Sequence, residues 1–265
     1  MVGQGMTYDT AETSAFGLQV TDYYRSLAHD SPSDPIRKQF IPTAFEFDQK
    51  DYETSDPLGE SIHAVLPRLV HQYEDRVLLL VTDRCFVHCR HCFRRSFTGG
   101  QSGPIPGKEL DDVLAYLKRH PEVQEILLSG GDPLTLTDRA LGELLKGVRT
   151  ARPDIIIRIG TRAPVVLPSR ITEGLAALLA GYKPVWVVSQ WNHPAELTDE
   201  SLKAVSYLVD RGIPVLNQSV LLKGINDDLR TLGELFHGLV RMRVKPYYLF
   251  QGDLAKGTAH FRTNL

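Results

Sequence analysis

The sequence has little net charge and no long apolar run. Its 265 residues carry 30 Lys and Arg against 32 Asp and Glu, a net charge of −2, whereas binding to a nucleic-acid backbone requires a positive excess. No apolar run approaches the roughly 20 residues that span a bilayer. Residues 1–16 lack the basic and apolar regions of an export signal. We therefore expect a cytoplasmic protein with no nucleic-acid partner and no membrane.

Cysteine is also scarce, and its placement is informative. The three cysteines, Cys85, Cys89 and Cys92, lie within eight residues, which is not typical of a disulfide framework and indicates the ligands of one metal centre. Thiolates select zinc or iron–sulfur clusters. A 4Fe–4S cluster ordinarily uses four cysteines, so three would leave one iron open to a small molecule. The spacing alone also permits a structural zinc site with His88 or His91 as the fourth ligand.

Apolar residues make up 42% of the chain and charged residues 23%, a balance typical of a globular protein with a core. From about residue 76 onward, short apolar runs alternate with amphipathic segments. The runs are nearly continuous, as expected of strands covered on both faces. The predicted strands are Arg76–Thr82, Glu125–Ser129, Ile155–Gly160, Val185–Gln190, Val215–Leu221 and Pro246–Gln251.

Five segments between these strands have the periodicity of helices with one buried stripe. Several begin with Asp, Ser or Thr near the N-cap, for example at Thr198. The predicted helices are Lys108–Arg119, Asp138–Thr150, Ile171–Leu179, Asp199–Arg211 and Asp227–Met242. The alternation predicts right-handed βαβ units. Eight such units close a barrel, so six predict an α/β fold with a laterally open, partial (β/α)6 parallel barrel.

Residues 1–70 have a different character. An apparent helix near Ala11–Ala28 is followed by a segment in which prolines break regular structure. These prolines are Pro32, Pro35, Pro42 and Pro57. We interpret residues 1–70 as an N-terminal helical and irregular extension, and residues 71–265 as the barrel core.

Several longer segments resemble one known family, in the same order along the chain. They are HQYEDRVLLLVTDRCFVHCRHCFRRSFTGG, LSGGDPLTLTD, RIGTRAPVVLPSRIT, NHPAEL, LNQSVLLKGIND and PYYLFQGDLAKGTAHFRT. With Cys-x-x-x-Cys-x-x-Cys after the first parallel strand, they resemble the radical S-adenosylmethionine enzymes of the lysine 2,3-aminomutase family. The resemblance covers roughly residues 20–265. That family also includes aminomutases for glutamate and arginine, and the enzyme that makes β-lysine for elongation factor P.

The resemblance implies a 4Fe–4S cluster on the three cysteines, with S-adenosyl-L-methionine on the free iron. It implies that His91 lies near the adenine. Without the resemblance, a Gly-Gly-Asp segment is more typical of a turn, and polar residues in strands often serve the core. The resemblance instead implies that the following residues surround the methionyl group: Ser129, Gly130, Gly131, Asp132, His193 and Gln218.

The resemblance also implies pyridoxal 5′-phosphate and an amino-acid substrate. Tyr73 and Arg76 match positions that bind the phosphate of this cofactor. Arg94 matches the residue that clamps the substrate α-carboxylate, a role suited to a planar bidentate guanidinium. Asp253 matches an acid that faces the distal ammonium of lysine. Because a carboxylate suits a cationic side chain and not glutamate, it favours L-lysine as the substrate.

The implied reaction is an isomerisation that moves the 2-amino group to C3, through a 5′-deoxyadenosyl radical and pyridoxal phosphate. It needs a one-electron donor such as flavodoxin or ferredoxin, and a homo-oligomer is left open. In the family, the lysine that holds pyridoxal phosphate follows the last matched segment, and this chain ends at Leu265 without it. We therefore expect a truncated chain, non-covalent binding of pyridoxal phosphate, or loss of the activity. The alternatives are a radical enzyme without pyridoxal phosphate and a zinc-stabilised, non-catalytic binding module.

Overall fold

The apolar runs of the sequence form one sheet in a computed structural model that describes residues 16–100 and 102–264. The strand order in the sheet is the order in the chain. The strands are β1 (Ala64–Leu66), β2 (Leu69–Tyr73), β3 (Arg76–Thr82), β4 (Glu125–Gly130), β5 (Ile156–Gly160), β6 (Val185–Ser189), β7 (Val215–Leu221) and β8 (Lys245–Gln251). All six predicted strands are confirmed to within one residue at each end.

Strands β3 to β8 are parallel, and each pairs with the next strand in the chain. Successive parallel neighbours require crossovers on one face of the sheet, and these crossovers carry the helices. Within the described residues β8 pairs only with β7. The sheet therefore stays open, and the predicted partial barrel is confirmed.

The helices of the described residues are α1 (Asp22–Ser26), α2 (Gly107–Arg119), α3 (Asp138–Ala151), α4 (Ala163–Val166), α5 (Glu173–Ala180), α6 (Asp199–Val209) and α7 (Leu229–Arg241). The five helices predicted between the strands are present as α2, α3, α5, α6 and α7, with small differences at their ends, whereas the short α4 was not predicted. The side chains of Thr172, Thr198 and Asp228 accept backbone N–H bonds and cap α5, α6 and α7. Helices α5 and α7 begin two residues later than predicted because the capping residue itself stays outside the helix.

The two faces of the parallel sheet have different surroundings. Val77, Leu79 and Val81 of β3 belong to the core between sheet and helices. Leu80, Val188 and Leu216 are also buried, but they lie outside that core. Because side chains alternate along a strand, this second set lines the concave face of the open barrel.

The N-terminal part departs from the prediction. The helix expected near Ala11–Ala28 is only Asp22–Ser26 within the described residues, because Thr21 caps the chain there and residues 16–20 are not helical. Residues 11–15 of that prediction lie outside the described part. The Pro-rich segment forms short 3-10 turns at Arg37–Gln39, Ala44–Phe47 and Glu60–His63, as its prolines indicate.

The antiparallel hairpin of β1 and β2, which pairs with β3, was not predicted. The boundary drawn at residue 70 falls inside β2. Among the described residues, no helix combines the length and the apolar character that a membrane crossing requires.

Candidate active site

The three cysteines lie in the loop that leaves the carboxyl end of β3, and each is an unpaired, partly buried thiol. Burial raises the pKa of Cys85 above its usual value, and the charges of Cys92 and Asp132 raise it further. Burial, followed by the charge of Cys89, also raises the pKa of Cys92. The sulfurs therefore interact with one another, and a cation would be needed to hold them as thiolates.

This donor set fits a cluster of several irons better than one metal ion. Among the described residues, no group of three or more His, Cys, Asp or Glu side chains is arranged to hold a single ion. Cysteine sulfurs that bind separate irons of one cluster lie farther apart than the ligands of a single zinc. His88, one of the two histidines considered for zinc, bonds through Nδ1 to the carbonyl of Gly17 at 2.7 Å.

The N-terminal extension holds the cysteine loop through its backbone. The amide of Gln19 donates to the carbonyl of Cys85. The backbone N–H of His88 donates to the carbonyl of Gln19, and that of Arg90 to the carbonyl of Gln39, both at 2.9 Å. The extension is therefore part of the site and not a separate unit beside it.

A buried carboxylate fixes the same loop through its side chains. Glu46 is 3% exposed and accepts bonds from Arg90 Nε at 2.8 Å and from Arg95 Nη2 at 2.7 Å. Burial by itself raises the pKa of Glu46, but the hydrogen bonds and charges of Arg90 and Arg95 outweigh it and lower the pKa. Arg90 lies between two cysteines in sequence, so this pairing sets where the loop runs.

His91 lies on the inner side of the loop. Burial lowers its pKa to about 3, and the charge of Arg162 adds to the effect. Its ring meets the ring of Phe261 edge-on, with centroids 6.2 Å apart, and Asn192 Nδ2 lies 3.5 Å from its Nε2. A neutral ring among apolar and amide groups suits contact with a flat heterocycle, and the predicted place near adenine stays a prediction.

The Ser129-Gly130-Gly131-Asp132 segment ends β4 and crosses very close to the chain after β3. A Cβ on Gly131 would lie 2.1 Å from the carbonyl oxygen of Arg84, and one on Gly130 would lie 2.3 Å from that of Thr82. Gly130 also has a φ of +115°, which favours glycine. The close backbone approach expected of these glycines is present, and it is an approach to the segment that leads to Cys85.

The side chain of Asp132 is used within the protein. Its carboxylate is 5% exposed and accepts bonds from the N–H of Leu134, the hydroxyl of Thr161 and the N–H of Arg162, at 2.7 to 2.9 Å. Burial raises its pKa in spite of these bonds. The carboxylate thus joins the loops after β4 and β5. Contact of Asp132 with a ligand stays a prediction.

Arg94 and Ser129 meet beside the cysteine loop, and Asp253 lies within reach of the charge of Arg94. Arg94 Nη1 donates to Ser129 Oγ at 3.3 Å. Burial raises the pKa of Asp253, while the charge of Arg94 lowers it and that of Glu60 raises it. Arg94 and Glu60 also line a cavity of about 240 Å³ with eight other residues: Ser55, Asp56, Pro57, Leu58, Ser61, Phe93, Ser96 and Phe97.

The guanidinium of Arg94 already holds a carboxylate. Glu60 accepts from Arg94 Nε at 3.1 Å and from Nη2 through its second oxygen. The two side chains are 13% and 18% exposed. Glu60 was not predicted from the sequence, because the residue lies 34 positions from its partner in a Pro-rich segment.

His193 and Gln218 follow or lie in barrel strands, as predicted. His193 caps a 3-10 turn, and its Nδ1 accepts from the N–H of Ala195 at 3.2 Å. Burial lowers its pKa. Gln218 is partly buried and pairs in register with Tyr248, whereas its neighbours Asn217 and Ser219 are fully buried. Gln218 therefore faces the concave side.

Tyr73 and Arg76 lie at the opposite end of the sheet. They form the turn between β2 and β3, with the Arg76 guanidinium carbon 5.5 Å from the Tyr73 ring centroid. Arg76 pairs with the exposed carboxylate of Asp75. A seven-residue strand separates this pair from the cysteine loop, a distance of about 20 Å at 3.3 Å per residue. The structure does not bring these two residues together with the cysteines.

Comparison with known proteins agrees with this fold. The Radical SAM superfamily profile matches residues 79–235. The structure of native anSMEcpe with bound AdoMet superposes with a TM-score of 0.52 at 13% identity, covering 66% of this chain and 50% of the other. The chain belongs to the radical SAM superfamily.

Sequence relatives narrow the family further. L-lysine 2,3-aminomutase of Clostridium subterminale is 46% identical over 247 residues, which are 93% of this chain and 59% of the relative. Glutamate 2,3-aminomutase of Clostridioides difficile strain 630 is 37% identical over 251 residues, 94% of this chain and 59% of the relative. The chain belongs to the lysine 2,3-aminomutase family and spans about three fifths of the length of these relatives.

Proposed function

We propose that this chain carries the catalytic core of a radical S-adenosylmethionine aminomutase that moves the 2-amino group of L-lysine to C3. The supporting observation is the contact of Arg94 with Ser129 beside the cysteine loop, with Asp253 within reach of the charge of Arg94. A guanidinium with a carboxylate in its vicinity complements the two ends of a basic amino acid. Relatives named for lysine and for glutamate both exist, so these side chains would decide between the two substrates.

Arg94 would bind the substrate α-carboxylate where it now binds Glu60. Nε and Nη2 of Arg94 donate to the two carboxylate oxygens of Glu60. The same bidentate geometry would bind the carboxylate of a substrate. Ser129 would hold the third donor of the guanidinium and keep its plane fixed. Asp253 would take the distal ammonium of lysine, an opposite charge that offsets the cost of its burial.

The loop of Cys85, Cys89 and Cys92 would hold a 4Fe–4S cluster with one corner left for S-adenosylmethionine. Together these groups would supply the radical chemistry that removes hydrogen from the substrate. Glu46 and the carbonyl of Gln39, which bond to Arg90 in this loop, would orient the centre. A low-potential one-electron donor of the flavodoxin or ferredoxin class would reduce it.

Tyr73 and Arg76 would bind the phosphate of pyridoxal 5′-phosphate at the amino end of β3, on the concave face. Among the described residues, the ion-pair partner of the Arg76 guanidinium is the exposed carboxylate of Asp75. Such a pair is weak, so a phosphate can displace it. Pyridoxal phosphate, when bound, carries the migrating amine.

The decisive experiment is an anaerobic assay of the reconstituted chain with dithionite, S-adenosylmethionine and pyridoxal phosphate. Lysine, arginine and glutamate are each offered, and their β-isomers are measured. We expect β-lysine as the main product. Deoxyadenosine without any β-amino acid would favour a radical enzyme without pyridoxal phosphate. Zinc without sulfide in oxygen-free protein would overturn the proposal.

A substitution tests the choice of lysine. Asp253→Asn removes the charge that faces the ammonium, and we expect kcat/KM for lysine to fall about 10- to 100-fold, since a hydrogen bond to a charged group contributes about 1.5–3 kcal/mol. Asp154→Asn changes an exposed carboxylate that pairs with Arg152 and serves as the matched control. Equal kcat/KM values in the two variants would refute the assignment of Asp253.

A further inference from the structure

A buried arginine that the sequence analysis did not select points at one of the three cysteines. Arg162 follows β5 and is 8% exposed. Its Nη1 lies 2.9 Å from Cys89 Sγ. Cys89 and Arg162 are 73 residues apart in sequence, so only the fold brings them together.

Every other donor group of this guanidinium has a protein partner. Nε donates to the carbonyl of Gln190 at 3.2 Å. Nη2 donates to Gln39 Oε1 at 2.5 Å, to Glu196 Oε1 at 2.7 Å and to the hydroxyl of Tyr24 at 3.0 Å. These bonds fix the plane of the guanidinium, and Nη1 is left directed at the sulfur.

The partners of Arg162 are themselves buried and fixed. Glu196, Tyr24 and Gln39 are each fully buried. Glu196 also accepts from the hydroxyl of Tyr24 at 2.6 Å and from the N–H of Asn192 at 2.6 Å. The backbone N–H of Arg162 donates to Asp132 at 2.8 Å. The buried positive charge of Arg162 is thus paired with the buried negative charge of Glu196. Movement of the arginine would leave Glu196 without its counter-charge.

We propose that Arg162 is a positioning residue whose hydrogen bond to the Cys89 sulfur raises the reduction potential of the cluster. This inference rests on the cluster of the proposed function. Reduction adds one electron from a low-potential one-electron donor and moves no proton, so the negative charge on the cluster and its thiolates increases by one. A permanent cation with an N–H bond to sulfur stabilises that added charge, because such bonds and local net charge set iron–sulfur potentials.

The bond also makes the three cysteines unequal. Within the described residues, Cys89 alone has a sulfur that accepts a bond from a charged side chain, whereas the sulfur of Cys92 lies 3.9 Å from the hydroxyl of Thr98. The iron bound to Cys89 would therefore differ electronically from the other two, and the added electron would be drawn to that side of the cluster.

The test is the midpoint potential of the anaerobically reconstituted full chain, followed by electron paramagnetic resonance with dithionite as the reductant. We expect Arg162→Gln to lower the equilibrium constant for one-electron reduction about tenfold, which is about 59 mV toward more negative potential. Arg162→Lys keeps the charge without the planar fork and should lie between the two. Arg149→Gln removes another partly buried arginine, whose bonds within the described part of the chain all go to backbone carbonyls, of residues 153, 155, 182 and 184. This variant should match the wild type.

A second measurement uses only the wild-type protein, so it does not depend on the folding of a variant. Resonance Raman spectra of the wild-type cluster in H₂O and D₂O should show a shift of an iron–cysteine stretch, because the N–H proton on the sulfur exchanges. A potential for Arg162→Gln equal to that of Arg149→Gln, with iron and sulfide retained, overturns the inference. If Arg162→Gln binds no iron, an unshifted wild-type Raman spectrum overturns it instead. Failure of the wild type itself to bind iron and sulfide would refute the proposed function.

Discussion

The sharpest prediction concerns Glu46, the buried carboxylate that fixes the cysteine loop. Glu46→Gln keeps the size of the side chain but removes the charge that faces Arg90 and Arg95. The amide retains one oxygen, and its NH₂ group turns toward a guanidinium that can only donate. The side chain of Arg90 has no exposed surface. Its positive charge would therefore remain in the interior, facing a neutral amide at position 46 in place of a carboxylate.

The magnitude follows from the burial of the pair. Removing one partner of a buried ion pair costs about 3–5 kcal/mol, and the retained oxygen places this variant near the lower value. About 3 kcal/mol changes the folding equilibrium roughly 150-fold, since 1.4 kcal/mol is tenfold. Glu143→Gln is the matched control, because Glu143 pairs with Arg139 on a helix surface where both side chains are more than half exposed. That change should cost about 0.5 kcal/mol or less.

The assay is urea unfolding of the anaerobic apoprotein followed by circular dichroism, with the slope on urea required to stay unchanged. The iron and sulfide bound after reconstitution form a second readout, because Arg90 lies between two cluster cysteines. We expect both to fall for Glu46→Gln and neither to fall for Glu143→Gln. The reasoning is refuted if the two variants differ in free energy of unfolding by less than about 1 kcal/mol.

Three further predictions follow from the site. The pKa of Glu46 in the folded chain is lowered, so the stabilisation by its carboxylate is complete above the usual glutamate pKa of about 4.3. This stabilisation is lost as the pH falls through the lower pKa of the folded chain. Acid unfolding curves should show this component in the wild type and not in Glu46→Gln. Gly131→Ala would press a Cβ against the carbonyl of Arg84 and should lower the free energy of unfolding by at least about 3 kcal/mol. This corresponds to a fall in melting temperature of about 6 to 12 °C, and an unchanged melting temperature would contradict the prediction. Arg94→Lys loses the planar pair of donors that now binds Glu60 and should raise KM for lysine about 10- to 100-fold, with a smaller effect on kcat. Steady-state kinetics that give an unchanged KM would exclude Arg94 as the residue that binds the substrate carboxylate.

Local patterns were enough to predict the parallel sheet and the cysteine loop. Each parallel strand is an apolar run of five to seven residues. The side chains of β3 to β7 are mostly buried or partly buried, whereas those of β8, at the edge of the sheet, are mostly exposed. The helix caps at Thr198 and Asp228 depend on bonds to residues three positions away. Such features need no knowledge of the rest of the chain.

The short hairpin before β3 was not predicted, because its strands lack such a local pattern. Strand β1 has three residues and β2 has five, and the two are joined through Pro67 and Arg68. A run of this length carries too little alternation to distinguish a strand from a loop. It forms because β3 offers its free edge, which is a tertiary condition.

The sequence by itself determined that three thiols would share one loop after the first parallel strand and that two glycines would let the end of the next strand approach the backbone leading into that loop. The tertiary structure alone decided which charges surround those thiols: Glu46 reaches Arg90 across 44 residues, and Arg162 reaches Cys89 across 73. Thiol spacing and glycine are local properties of the backbone. The pairing of buried charges depends on the path of the whole chain, because each charge is stable in the interior only where a partner from another segment arrives.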